Sequence, residues 1–253
     1  TSVASDNMIT SHHASRESIA EVIEAYLEYG IDAMMGPMLL SPILVDAAKL
    51  AEDHTGKKVI LIDTPIINVD DNPSARIEAR ETIEASRKIG ATFCLPHHAS
   101  AEQLVCKNTR TINRLPDYLS MVRENGMVPG LSAHMPEMIV FSDLNEYDVE
   151  TYIQIYNCAG FLMQVEVEYI HKVIHSAKKP VMSIKAMAAG RVSPFVGLTF
   201  SYATLRDIDM VTVGAFSPAE VHEDVEISLA ALERRSPRIL GRQSPKKTDA
   251  LQG

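Results

Sequence analysis

Lys58–Asp63 reads KVILID, with Gly56 just before it and Thr64–Pro65 just after. A short apolar run rich in β-branched residues and bounded by turn formers reads as a strand. On either side lie longer stretches, Pro42–Asp53 and Arg76–Ile89, whose apolar residues recur at three- and four-residue spacing. That spacing is the mark of an amphipathic helix covering a sheet. The fold is decided by how often this helix–strand–helix unit repeats.

It repeats along the whole chain. Strand-like runs occur at Ile31–Gly36, Lys58–Asp63, Ala91–Pro96, Val128–Ala133, Thr151–Asn157, Pro180–Lys185 and Met210–Gly214, and their ends lie 27, 33, 37, 24, 28 and 29 residues apart. A βα unit takes roughly 30 residues. Helical patterns also cover Arg16–Tyr29, Leu115–Asn125, Val165–Ala177 and Ala219–Leu232. Ser41–Pro42 reads as an N-cap with proline in the first helical position, and Gly30, Gly90 and Gly126 each read as closing a helix before a strand.

The βαβα order predicts parallel strands, in either a doubly wound open sheet or a (β/α)8 TIM barrel. A dinucleotide-binding open sheet carries GxGxxG in its first βα turn, and no such motif occurs here, so the barrel is the expectation. The chain opens with the polar stretch TSVASDNMITSHHAS and then a helix. The first barrel strand is therefore expected to be missing from the numbered chain. Residues 1–233 are expected to form one barrel domain and 234–253 an extended basic, proline-containing tail.

Composition narrows the function. With 253 residues, 46% hydrophobic, the chain is long enough for a large single core. Its 24 Lys and Arg against 33 Asp and Glu give a net charge of −9, which argues against nucleic acid and anionic membranes as partners. No apolar stretch approaches the ~20 residues needed to cross a bilayer. Three cysteines, Cys94, Cys106 and Cys158, without CxxC spacing or a secretory leader, predict a reduced cytoplasmic protein. The expected partner is a small-molecule substrate, and a homo-oligomer is compatible with the sequence.

From Val128 to Leu232 the chain resembles a known family. GLSAHMPE, YIQIYNCAGF, KKPVMSIKAMAAGRVSP and DMVTVGAFSPAEVHEDVEISLAAL follow, in order and spacing, the last four βα units of aldo-keto reductases. The resemblance implies an eight-stranded barrel with its site at the C-terminal ends of the strands. It also implies a catalytic tetrad of Asp, Tyr, Lys and His, from which this chain departs. IDAMMGPMLLSP carries no Tyr after the first visible strand, the next strand ends in Asp63 where the family has Lys, and only the His has a counterpart, at His97 or His98. The segment VGAFSPAEVHEDV, where the family holds cofactor phosphate, has no Lys or Arg. NADP is accordingly the less favoured cofactor.

Five of the nine histidines fall in loops at the barrel face where active sites lie: His12, His13, His97, His98 and His134. Imidazoles from different strand ends can act as general acid and base. With Asp63 they can also ligate a divalent metal, and Asp63, His98 and His134 form the candidate set for Zn, Mn, Fe or Ni. The competing reading is structural, with tandem His capping loops and Asp63 holding its turn. Lys185, at a strand end, can stabilise an enolate, form a Schiff base or bind an acidic substrate, or can pair with a neighbouring carboxylate. His12, His13, Asn157 and Arg191 are candidates for binding substrate. Gly190–Arg191 offers backbone N–H groups to an anion. Glu166, Glu168, His171 and His175 read as the solvated face of a helix, and the methionines as core filler.

The leading expectation is a barrel enzyme acting on a small polar carbonyl- or hydroxyl-bearing compound, sugar-derived ones included, by acid–base or metal-assisted lyase, isomerase or hydrolase chemistry. His97, His98, His134 and Lys185 are its catalytic candidates. The alternatives are a divergent nicotinamide-dependent oxidoreductase and a non-catalytic barrel serving as a binding or assembly subunit.

Overall fold

The computed structural model describes residues 15–239. Its strands are β1 (Ala33–Gly36), β2 (Ile60–Asp63), β3 (Phe93–Cys94), β4 (Val105–Cys106), β5 (Thr111–Ile112), β6 (Val128–Ala133), β7 (Thr151–Ile155), β8 (Val181–Ile184) and β9 (Met210–Val211). Its α-helices are α1 (Arg16–Glu28), α2 (Pro42–Thr55), α3 (Pro73–Lys88), α4 (His98–Ala101), α5 (Leu115–Glu124), α6 (Glu137–Leu144), α7 (Val167–Ser176), α8 (Pro194–Thr204) and α9 (Pro218–Leu232).

Seven strands form one sheet in the order β1-β2-β3-β6-β7-β8-β9, and every neighbouring pair is parallel. β4 and β5 form a separate antiparallel hairpin between α4 and α5. Among the described residues β9 and β1 are the two ends of the sheet and do not pair. There the flanking strands are the most exposed, with Ala33 and Met210 open to solvent, whereas every residue of β7 and β8 is buried. The helix layer closes where the sheet does not. Val22 and Ala25 of α1 pack on Ala215 and on Val221 and Val225 of α9, and the Tyr29 hydroxyl lies 2.7 Å from His222 Nδ1.

Register separates two apolar layers. Ile62, Leu95, Ile153, Ile155, Met182 and Ile184 fill the concave face. Leu131, Tyr152 and Val181 point outward to the helices. Each such Leu or Ile contributes ~1.5–3 kcal/mol on burial. Gly130 makes room on the concave side, because a Cβ there would lie 2.7 Å from the Thr151 carbonyl and 2.8 Å from Leu95 Cγ.

The helix boundaries agree with the sequence to within a few residues, and the reason is local. Asn72 Oδ1 accepts the Ala75 N–H at 2.9 Å ahead of Pro73, while Gly30, Gly90 and Gly126 take left-handed φ of 75°, 91° and 72° just past helix ends. Ser41 holds the N-cap position of α2 as expected, but its hydroxyl makes no capping bond. Three helices escaped the periodicity, one of them the single-turn α4. α6 (EMIVFSDL) and α8 (PFVGLTFSYAT) are apolar on most faces and so show little amphipathic contrast. Among the described residues no helix is long and apolar enough to cross a membrane.

Candidate active site

The site is assembled from three strand ends. On β6, Ser132 shares a row with Ile153 and Met182 of the concave face, and alternation puts His134, two residues on, over the same face. From the loop after β3 come His97 and His98, and Lys185 follows β8 directly. The His98 and His134 rings stack with centroids 3.7 Å apart and planes 21° apart, while His97 lies tilted against His98 at 4.2 Å. His97 also accepts the Ala99 N–H on Nδ1 at 3.2 Å, capping α4, so its remaining proton sits on Nε2.

Glu102, not anticipated from the sequence, braces this cluster. Its Oε1 accepts the backbone N–H groups of His134 (2.5 Å) and Met135 (2.8 Å), and Oε2 lies 3.9 Å from His98 Nδ1. The available signal was its spacing, four residues after His98 in HASAEQL. Gln154 Nε2 holds the His134 carbonyl at 3.2 Å.

Electrostatics keep the imidazoles neutral. His134 falls from its ordinary 6.5 to about 4, first through desolvation and then through repulsion from His98, Lys185 and His97. His98 is lowered by desolvation and by Lys185, and His97 by desolvation and His98, with Glu102 opposing. Lys185 is itself lowered by desolvation. The mouth is a half-buried group of bases whose charged forms are disfavoured.

The loop that presents Lys185 is strained. Lys185, Ala188 and Ala189 have left-handed φ of 63°, 49° and 54°, three of the eight such non-glycine residues among those described. Each costs roughly 1 kcal/mol or more. The turn is held by Ala188 N–H to Lys185 O at 2.8 Å and by α8, whose Gly197 packs so closely that a Cβ would lie 2.6 Å from the Ala186 carbonyl.

The other candidates go elsewhere. Asp63 is fully buried on the outward row with Gly36 and Cys94, beneath α3, where Oδ1 accepts the Met38 N–H (2.8 Å) and Oδ2 the Ser86 hydroxyl (2.6 Å). It joins β2 to its neighbours and does not meet the histidines. Burial raises its pKa, against the hydrogen bonds it accepts. Asn157 is buried with its amide closed onto the Phe161 backbone, Oδ1 accepting N–H at 2.8 Å and Nδ2 donating to O at 3.0 Å, so it shapes the β7–α7 loop. Arg191 is exposed, stacked over the Phe161 ring at 4.1 Å, and donates to Ala188 O at 3.3 Å. His12 and His13 lie outside the described residues. Glu166, Glu168 and His175 are exposed on or beside α7, and half-buried His171 lies 3.3 Å from the Tyr156 hydroxyl. Burial and the nearby Asp63 push the Cys94 thiol up to about 12, which leaves it protonated.

The candidate metal set does not fit these residues as they stand. A metal must lie in each imidazole plane along a nitrogen lone pair, and two nearly parallel stacked rings send those lone pairs side by side without converging. With Asp63 turned to Ser86, the set Asp63, His98 and His134 is not gathered, and among the described residues no three His, Cys, Asp or Glu side chains are grouped to hold a metal. At the start of α9, Ser217 caps the helix and Glu220 reaches back to the residue before the cap. Ser217 Oγ accepts the Glu220 N–H, and Glu220 Oε2 accepts the Phe216 N–H at 2.8 Å.

The architecture is similar to solved barrels. An aldose reductase from Giardia lamblia superposes with a TM-score of 0.57 at 11% identity, over 94% of this chain and 88% of its own. A protein assigned to the aldo-keto reductases in Pseudomonas aeruginosa gives 0.65 at 14% identity, over 86% and 84%. Octameric ribulose-1,5-bisphosphate carboxylase/oxygenase from Pyrococcus horikoshii gives 0.58 at 11% identity, over 88% of this chain and 57% of that one. The sequence matches no protein-family model and no curated protein. The class defined is therefore a (β/α) barrel, an architecture shared by aldo-keto reductases and the carboxylase alike, and at these identities the likeness is one of fold.

Proposed function

We propose that the protein is a barrel enzyme that acts on a small polar carbonyl- or hydroxyl-bearing compound by metal-free acid–base chemistry of the isomerase or lyase type. The observation that carries this reading is the stacked His98–His134 pair, kept neutral at the mouth of the strands and within electrostatic reach of Lys185. A neutral imidazole accepts a proton and returns it, and a cation alongside stabilises the oxyanion that develops meanwhile.

The two imidazoles have different parts. His98 is the less depressed of the pair and has the Glu102 carboxylate 3.9 Å from its Nδ1, so His98 is the general base and Glu102 its positioning residue. His134 is more strongly depressed and serves as hydrogen-bond donor and proton relay to the substrate oxygen, whose growing negative charge raises the proton affinity of the ring. Arg191, stacked on Phe161, lies on the same loop as Lys185 and offers its remaining N–H groups to polar substituents.

Ligand-observed NMR tests the reading with a panel of hydroxyaldehydes, hydroxyketones and free sugars alongside NADPH. Saturation transfer to a hydroxycarbonyl compound, lost in the His98→Asn/His134→Asn double variant, is expected. Tight NADPH binding with no hydroxycarbonyl contact would replace the reading with the oxidoreductase alternative.

A further inference from the structure

We propose that His171 and His175 on α7 form a binding site for a divalent late first-row cation of the zinc type, held by His171 Nε2 and His175 Nδ1. The two residues stand one turn apart in HKVIH, the i, i+4 spacing that sets side chains on one face of a helix and at which paired histidines chelate zinc. Their ring centroids are 4.1 Å apart. The pair is independent of the acid–base chemistry at the mouth. It is anchored on Thr204, the last residue of α8, and so lies on the outer helix layer toward the opposite end of the barrel.

A chain of hydrogen bonds assigns the free nitrogen of each ring. The Thr204 hydroxyl donates to the Phe200 carbonyl at 2.7 Å, and the buried Tyr156 hydroxyl spends its one proton on Thr204 Oγ1 at 3.0 Å. Tyr156 can therefore only accept from His171, whose Nδ1 lies 3.3 Å away and must carry the proton, which leaves the Nε2 lone pair free. His175 Nε2 lies 2.8 Å from the Thr204 carbonyl, an acceptor only, so that nitrogen is the donor and Nδ1 is free. The two nitrogens of an imidazole point in nearly opposite directions, so each anchored ring turns its free lone pair away from α8. A second N–H fixed on an oxygen acceptor is what orients histidines that ligate metals and sets their tautomer. The rings are inclined by 43°, against 21° for His98 and His134, and His175 is exposed with room to turn, so one ion can lie in both ring planes. Imidazole nitrogen suits zinc, copper and nickel. No third His, Cys, Asp or Glu is grouped with the pair among the described residues, so water fills the remaining positions. Desolvation and the neighbouring His175 lower the His171 pKa, which keeps its ring in the neutral form that a metal requires.

The test is a titration of the whole chain with zinc chloride at neutral pH, read by nitrogen NMR of the imidazoles in isotopically labelled protein. Before zinc is added, the spectra should show His171 protonated on Nδ1 and His175 on Nε2. On titration the His171 Nε2 and His175 Nδ1 signals should move ahead of those of the other histidines and saturate together at roughly one zinc per chain. His171→Asn and His175→Asn should each weaken zinc binding at the remaining ring at least roughly tenfold. Tyr156 is a positioning residue, and Tyr156→Phe should leave His171 a mixture of tautomers and cost roughly tenfold in zinc affinity. The parent spectra decide the matter even where a variant fails to fold. Zinc taken first by other histidines, separate midpoints for His171 and His175, or the opposite tautomer in either ring overturns the proposal.

Discussion

Acidification should unfold this protein in part through His134. A base whose folded pKa lies below its unfolded one leaves the unfolded chain to take up the proton first. The stability is thus fully present above about pH 6.5 and is lost as pH falls from there toward 4. With His134 at about 4 in the fold against 6.5 unfolded, linkage gives ~2 kcal/mol lost between pH 7 and pH 5. Half-burial and coupling to His97, His98 and Lys185 reduce the expected share to about 1–2 kcal/mol. Urea unfolding of the parent and of His134→Gln at both pH values measures it. The parent should lose about 1–2 kcal/mol more than the variant on acidification. Equal losses, within about 0.3 kcal/mol, would refute the claim that the mouth holds His134 neutral.

Three further outcomes follow from the packing. Asp63→Ala strands the Met38 N–H in the interior and takes from the Ser86 hydroxyl the shorter of its two bonds, and should cost ~1–3 kcal/mol in urea unfolding, with the NMR titrations of His98 and His134 unmoved. Ala189→Gly, at φ 54° and ψ 45°, should raise stability by up to about 1 kcal/mol by calorimetry, since glycine meets no Cβ penalty there. Gly130→Ala forces a Cβ against Thr151 O and Leu95 and should lower stability by ~1–3 kcal/mol in the same measurement.

The fold was legible because its signals are local and repeated. KVILID and its six counterparts announce strands at a βα pitch, and Gly30, Gly90 and Gly126 mark helix ends through a backbone requirement that few other residues meet. What escaped lacks local contrast. α8 is apolar nearly all round, and α6 reads as a run without a face. The site was half legible for a related reason. Strand ends place His98, His134 and Lys185 at one mouth, but where Asp63 points depends on the parity of its strand and on Ser86, 23 residues away on a helix. A two-residue β3, shorter than its run in the sequence, gives no periodicity from which to count outward and inward. Glu102 and Asn157 act through backbone groups brought near only by the folded loops.

The central claim is that His98 and His134 move protons on a carbonyl compound. It is tested most directly by following, by proton NMR in D2O, the exchange of the C–H protons beside the carbonyl in a series of small hydroxyaldehydes and hydroxyketones. The account predicts exchange above the buffer rate for at least one of them, falling at least roughly a hundredfold in His98→Asn, the size of a lost general base. Exchange no faster than buffer across the series, or unchanged in both His98→Asn and His134→Asn, would contradict it.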